Sequence, residues 1–112
     1  MGTSQYHEPP DELPQHIRTY ARMCASLQEE AEAIGWYEQR ISVEPNDQAR
    51  AIMENAQQEE FKHFAMSLEF LTRQNEKWRV ALKNVLFKQG DIVELGEKAE
   101  EKVDEVAEED ER

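Results

Sequence analysis

Apolar residues recur along this chain at alternating steps of three and four. Between about Gln15 and Val43 the stripe runs Ile17, Tyr20, Cys24, Leu27, Ala31 and Ile34. That spacing is the mark of an amphipathic helix with a coiled-coil-like seam. Glu44-Pro45-Asn46-Asp47 breaks the pattern, and Asn46 or Asp47 is a suitable N-cap for a second helix. That second periodic stretch is expected from about Gln48 to Trp78, extending as far as Leu86. At a rise of 1.5 Å per residue the two helices are each roughly 42 to 52 Å long. Two long helices joined by so short a turn form an antiparallel hairpin. After the Gln89-Gly90-Asp91 turn, Ile92, Leu95, Ala99, Val103 and Val106 again keep helical spacing. They predict a short C-terminal helix that frays into an acidic end. The stretch before Gln15 holds three of the four prolines and no periodicity, so it reads as an extended or mobile arm.

The pattern divides the chain into a flexible arm over residues 1–14, a helical hairpin domain over 15–96 and an acidic extension over 97–112. The fold class is all-α. A lone hairpin of this size buries two long apolar stripes poorly. A second copy completes a four-helix bundle, so the hairpin is expected to dimerise.

One residue sits badly in this pattern. Placed 100° apart around the second helix, Met53, Ala56, Phe64, Ser67, Leu71 and Trp78 all lie within about 40° of Glu60. Glu60 is at the centre of the apolar arc. A carboxylate there has to be paired, protonated or bound to a cation, because an unpartnered buried charge costs several kcal/mol. His63 is three residues on, so its imidazole and the Glu60 carboxylate reach a common point. On the first helix, Glu30 and Tyr37 lie two turns apart at the edge of the stripe, with Glu29 and Trp36 on the opposite side and Glu32 between. One helix thus offers an inward carboxylate, with a phenol placed to hydrogen-bond a ligand. Carboxylate-bridged di-iron bundles use a Glu from each of two helices and a Glu-x-x-His from each of two others. This chain carries half of that set: Glu30, Glu60 and His63. A symmetric dimer supplies the rest around two metal ions. Carboxylates with one imidazole per metal suit iron, with manganese, zinc or calcium as substitutes.

Composition narrows the partners. Net charge is −12, from 25 acidic and 13 basic residues, which argues against nucleic acid and anionic membrane surfaces. Half of it, a net −6 from nine acids and three bases, belongs to Glu97–Arg112. Cys24 is the only cysteine, so no intrachain disulfide forms and nothing points to an oxidising compartment. No apolar run is long enough to span a bilayer and no signal peptide is visible. A cytoplasmic protein is expected. Cys24, within the first stripe, reads as a small buried hydrophobe.

Two segments, Gln28 to Arg40 and Glu59 to Leu71, together resemble the encapsulated ferritins, as do His7-Glu8-Pro9 and Leu86-Phe87 followed by Gly90 and Ile92. The similarity covers roughly His7 to Leu95. The resemblance implies a ferritin-like four-helix bundle made by antiparallel dimers, assembled into a ring-shaped oligomer, a decamer. It implies a ferroxidase that binds two Fe(II) per dimer at Glu30, Glu60 and His63, with Tyr37 as their neighbour. Glu29, Glu32 and Trp36 match positions that attract metal outside the site, Trp36 lining the approach without being a ligand. It also implies residence inside an encapsulin nanocompartment, with an encapsulin shell protein as partner. Family members usually end in a Gly-Ser-Leu-type docking peptide, and Glu94 to Arg112 contains none. The alternatives are a metal-binding protein without turnover and an acidic helical assembly module. Oxygen consumption and bound-metal analysis separate the three.

Overall fold

A computed structural model describes residues 5–110 of the chain. It is all-helical: a 3-10 turn at Pro10–Glu12, then α1 (Gln15–Val43), α2 (Asp47–Gln74), α3 (Glu76–Lys83) and α4 (Ile92–Asp110). The chain divides into two compact units, Met1–Phe70 and Leu71–Arg112.

In the first unit, α1 begins immediately after Pro14, whose carbonyl accepts from the Ile17 and Arg18 amides, both at 3.1 Å. It ends where Glu44 turns to extended backbone, φ −79° and ψ 116°. The cause is Pro45, whose ring excludes the helical conformation from the residue before it. The turn is tied together by its own polar groups. Arg50 Nη1 donates to the Glu44 carbonyl at 2.9 Å and Nη2 pairs with Asp47 Oδ1 at 2.6 Å. Asn46 Oδ1 accepts from the Ala49 amide at 2.9 Å, the N-cap bond anticipated for α2.

The hairpin is antiparallel. Gln57 on α2 donates to the Ile34 carbonyl at 3.1 Å and to Glu38 Oε1 at 2.9 Å. Ile34 and Gln57 are nearly equidistant from the Glu44–Asn46 turn, as antiparallel helices require. Ser67, on the arc that also holds Glu60, is buried.

The second helix stops earlier than its periodicity suggested. Asn75 is extended, φ −150° and ψ 120°, and its side chain accepts from the Lys77 amide, starting α3. An asparagine competes with the helix for backbone partners and favours caps, which is why apolar spacing alone runs through it. In the second unit Leu71 is fully buried, α3 packs on α4 and Ala99 is buried. The link between α3 and α4 includes two positive φ angles, Gly90 at 121° and Phe87 at 61°. Phe87 is fully exposed. Asp91 Oδ2 caps α4 through the Glu94 amide at 3.0 Å. The acidic segment does not fray where sequence placed the fraying: α4 continues through Glu97 to Asp110. Residues 1–4 of the arm and 111–112 of the extension lie outside the described residues.

Candidate metal centre

All the candidate ligands belong to the first unit. On α2, His63 Nδ1 and Glu60 Oε1 are 3.0 Å apart, the pairing that their three-residue spacing allows. The Glu60 side chain is 23% exposed and that of His63 45%, so the pair is half-buried and open on one side, although Glu60 stands at the centre of the apolar arc. In the tautomer that donates from Nδ1, the Nε2 lone pair and Glu60 Oε2 both remain for another partner.

On α1, Glu30 is half-buried and its Oε1 is buried without a hydrogen-bond partner. Among the described residues the only other such side-chain atom is Arg18 Nε. A buried carboxylate oxygen left unsatisfied costs free energy comparable to a lost hydrogen bond, and a site awaiting a cation is one reason for such an atom. Glu30 and Glu60 are close to one level of the hairpin. From the Ile34–Gln57 contact, Glu30 lies four residues away from the turn on α1 and Glu60 three residues away from it on α2. At 1.5 Å per residue these steps differ by about 1.5 Å.

One chain does not bring the three candidates together. Among the described residues no three His, Cys, Asp or Glu side chains are grouped closely enough to hold a metal ion. The structure therefore forms the Glu60–His63 pair and leaves Glu30 outside it.

The remaining sequence candidates surround this core. Tyr37 is half-buried, with the Arg40 guanidinium 5.5 Å from its ring centroid. Glu29 and Glu32 are exposed. Trp36 is exposed and lines a shallow, open hollow of about 250 Å³ with Gln39 and Arg40. Beside the pair, Glu59 Oε2 meets Lys62 Nζ at 2.8 Å. The Lys62 hydrogen bond, and then its charge, hold the Glu59 carboxyl below the ordinary carboxylate value. Cys24 is half-buried where the sequence placed it as buried, and that partial burial pushes its thiol up. Sequence reasoning missed Gln57, which carries two interhelix bonds. Its signal was there: a polar amide three residues before Glu60, beside the apolar arc.

Comparison with known proteins agrees with this fold. Residues 5–89 match the family described as EncFtn-like. A ferritin-like protein of Thermotoga maritima is 42% identical over 93 residues, 83% of this chain and 82% of that one. An encapsulated ferritin-like protein of Rhodospirillum rubrum is 36% identical over 95 residues, 85% of this chain and 68% of that one. The crystal structure of a protein from Nitrosomonas europaea superposes with a TM-score of 0.76 at 36% identity, covering 78% of this chain and 96% of the other. With a family match across most of its length and relatives this similar over most of theirs, the chain belongs to the EncFtn-like family, that of the encapsulated ferritins.

Proposed function

We propose that this chain is a ferroxidase subunit whose site is completed by a second copy of itself. Two Fe(II) ions, the substrate, bind between two chains, each chain giving Glu30, Glu60 and His63. The two irons give one electron each to a single dioxygen, which with two protons from solvent becomes hydrogen peroxide, and both leave as Fe(III). The observation that carries this reading is the unpartnered, buried Glu30 oxygen at nearly the level of the Glu60–His63 pair, in a chain with no three-ligand cluster of its own among the described residues.

Iron supplies the redox chemistry, and the protein supplies spacing, charge and a partly dry setting. The Glu60–His63 bond orients the imidazole, so that one ring nitrogen is held and the other is presented. Six protein ligands for two ions, four of them carboxylates, offset the charge of the metals and favour the higher oxidation state. Tyr37 lies two turns from Glu30 on α1 and serves as a hydrogen-bonding neighbour of the ligands. Glu29, Glu32 and Trp36 are exposed, which suits the attraction and passage of Fe(II) and not its tight binding. Manganese, zinc and calcium compete for the same oxygen-rich set.

The name of the Rhodospirillum rubrum relative, an encapsulated ferritin-like protein, supports a place inside an encapsulin nanocompartment; a cytoplasmic setting and dimers joined in a ring belong to the proposal alone. No described helix is long and apolar enough to cross a membrane. Stopped-flow absorbance with oxygen uptake tests the activity. Wild-type protein is expected to oxidise Fe(II) well above the buffer rate. Glu60→Ala and His63→Ala, each removing two ligands per dimer, are expected to fall to near that rate. Wild-type initial rates in either variant would place the chemistry elsewhere.

A further inference from the structure

We propose that Gln57 is a positioning residue that sets the level of Glu60 and His63 on α2 against Glu30 on α1. This rests on the di-iron site proposed above. The carboxamide uses both of its protons across the hairpin, one on the Ile34 carbonyl at 3.1 Å and one on Glu38 Oε1 at 2.9 Å. Both acceptors are on α1, one turn apart, and the Ile34 carbonyl is one turn from Glu30. Gln57 is itself one turn from Glu60. The four residues therefore form a short path: Glu30 to Ile34 along α1, across to Gln57, then along α2 to Glu60.

The magnitudes decide what holds this level. Sliding one helix past the other by a single residue moves its side chains about 1.5 Å. A metal site tolerates about 0.2 Å in its ligand distances and about 0.5 Å in its overall geometry. Apolar contacts along the seam are non-directional and grade smoothly with small slides. A carboxamide held by two acceptors is directional, so a slide between the helices strains the length or the angle of its bonds. The Ile34 carbonyl accommodates the bond through its second lone pair, so α1 keeps its own ladder. Groups that hydrogen-bond a metal's ligands directly commonly change affinity ten- to a hundredfold, and Gln57, one step further out, belongs at the lower end of that range.

The test uses the full chain with Co(II) as the probe. Its affinity, its stoichiometry and its visible absorption spectrum are measured beside the helicity of the metal-free protein. Gln57→Leu removes both donors at similar volume. Gln57→Glu keeps the shape without the N–H groups. Gln57→Lys restores donors toward the same two oxygens. The expected result for the Leu and Glu variants is retained helicity, Co(II) affinity lower by about tenfold or more, and a shifted visible spectrum. The Lys variant is expected to recover the wild-type spectrum and affinity to within about threefold, which lost packing alone would not allow. Should Gln57→Leu fail to fold, the Glu and Lys variants decide the matter. Glu60→Ala and His63→Ala are run alongside as a check on the site itself. If they keep wild-type Co(II) binding, the site is misassigned and the role of Gln57 goes with it. If they lose the Co(II) signal while Gln57→Glu keeps the wild-type spectrum and affinity, the site stands and Gln57 does not position it.

Discussion

Replacing Glu30 with leucine should make the metal-free protein more stable. Glu30 Oε1 is buried with no hydrogen-bond partner, an arrangement that costs about 1–3 kcal/mol relative to a satisfied group. Leucine is close in volume, keeps helix propensity and removes the orphaned oxygen, so most of that cost is recovered. Allowing for the partial exposure of the residue, a net gain of about 1–2 kcal/mol is expected. For a small domain with a urea slope of roughly 1 kcal/mol per molar, the midpoint rises by about 1–2 M. The assay is urea unfolding followed by circular dichroism in chelator, at one fixed protein concentration because assembly contributes to apparent stability. Glu29→Leu, at an exposed carboxylate on the same helix, is the control and should stay within about 0.5 kcal/mol. With Fe(II) the order should invert, since wild type gains binding energy and Glu30→Leu does not. A metal-free Glu30→Leu protein no more stable than wild type would refute the claim that this carboxylate is held at a cost for the sake of a cation.

The outer residues and the loops respond in their own ways. Glu32→Ala should change the iron dependence or rate of oxidation and leave two tightly bound metals per dimer by native mass spectrometry; loss of a tightly bound metal would contradict its place outside the site. The Glu59 carboxyl is depressed by Lys62, so its contribution is present above the unfolded-state value and is lost as pH falls through the lower folded-state value. Lys62→Met should therefore move the Glu59 midpoint upward in a carboxyl NMR titration, and an unmoved midpoint would exclude Lys62 as the cause. Phe87 holds a left-handed backbone, φ 61°, while fully exposed. Phe87→Gly should stabilise the isolated chain by about 1 kcal/mol in thermal unfolding. A loss of stability instead would mean that the ring is buried against another copy.

Much of this was legible in the residues. Three- and four-residue spacing placed α1 at Gln15–Val43, and Pro45 with Asn46 marked the end of one helix and the start of the next. The Glu60–His63 pair came from spacing alone, because two side chains three apart on a helix have little choice but to meet. What failed to show was set by single polar groups and not by periodicity. Asn75 interrupts a continuous apolar pattern with one cap bond. α4 itself was legible, since Leu95, Ala99, Val103 and Val106 keep it amphipathic, with Ala99 buried, through a run of acids whose charge had suggested fraying. Gln57 stood as a polar amide beside the apolar arc, but its two acceptors did not show, because the rotation and level of one helix against another are not written in either helix alone. The convergence of Glu30 with Glu60 and His63 has the same character. As proposed it depends on a second chain, and no pattern within one helix carries that geometry.

The central claim is that two copies of this chain share one di-iron site. Anomalous diffraction at the iron edge, from crystals soaked anaerobically in Fe(II), tests it most directly. The account predicts two peaks for each pair of chains, lying between the copies and each within bonding distance of Glu30, Glu60 or His63 side chains from both. Iron held by a single chain, or peaks confined to Glu29, Glu32 and Trp36 with none at Glu60 and His63, would contradict it.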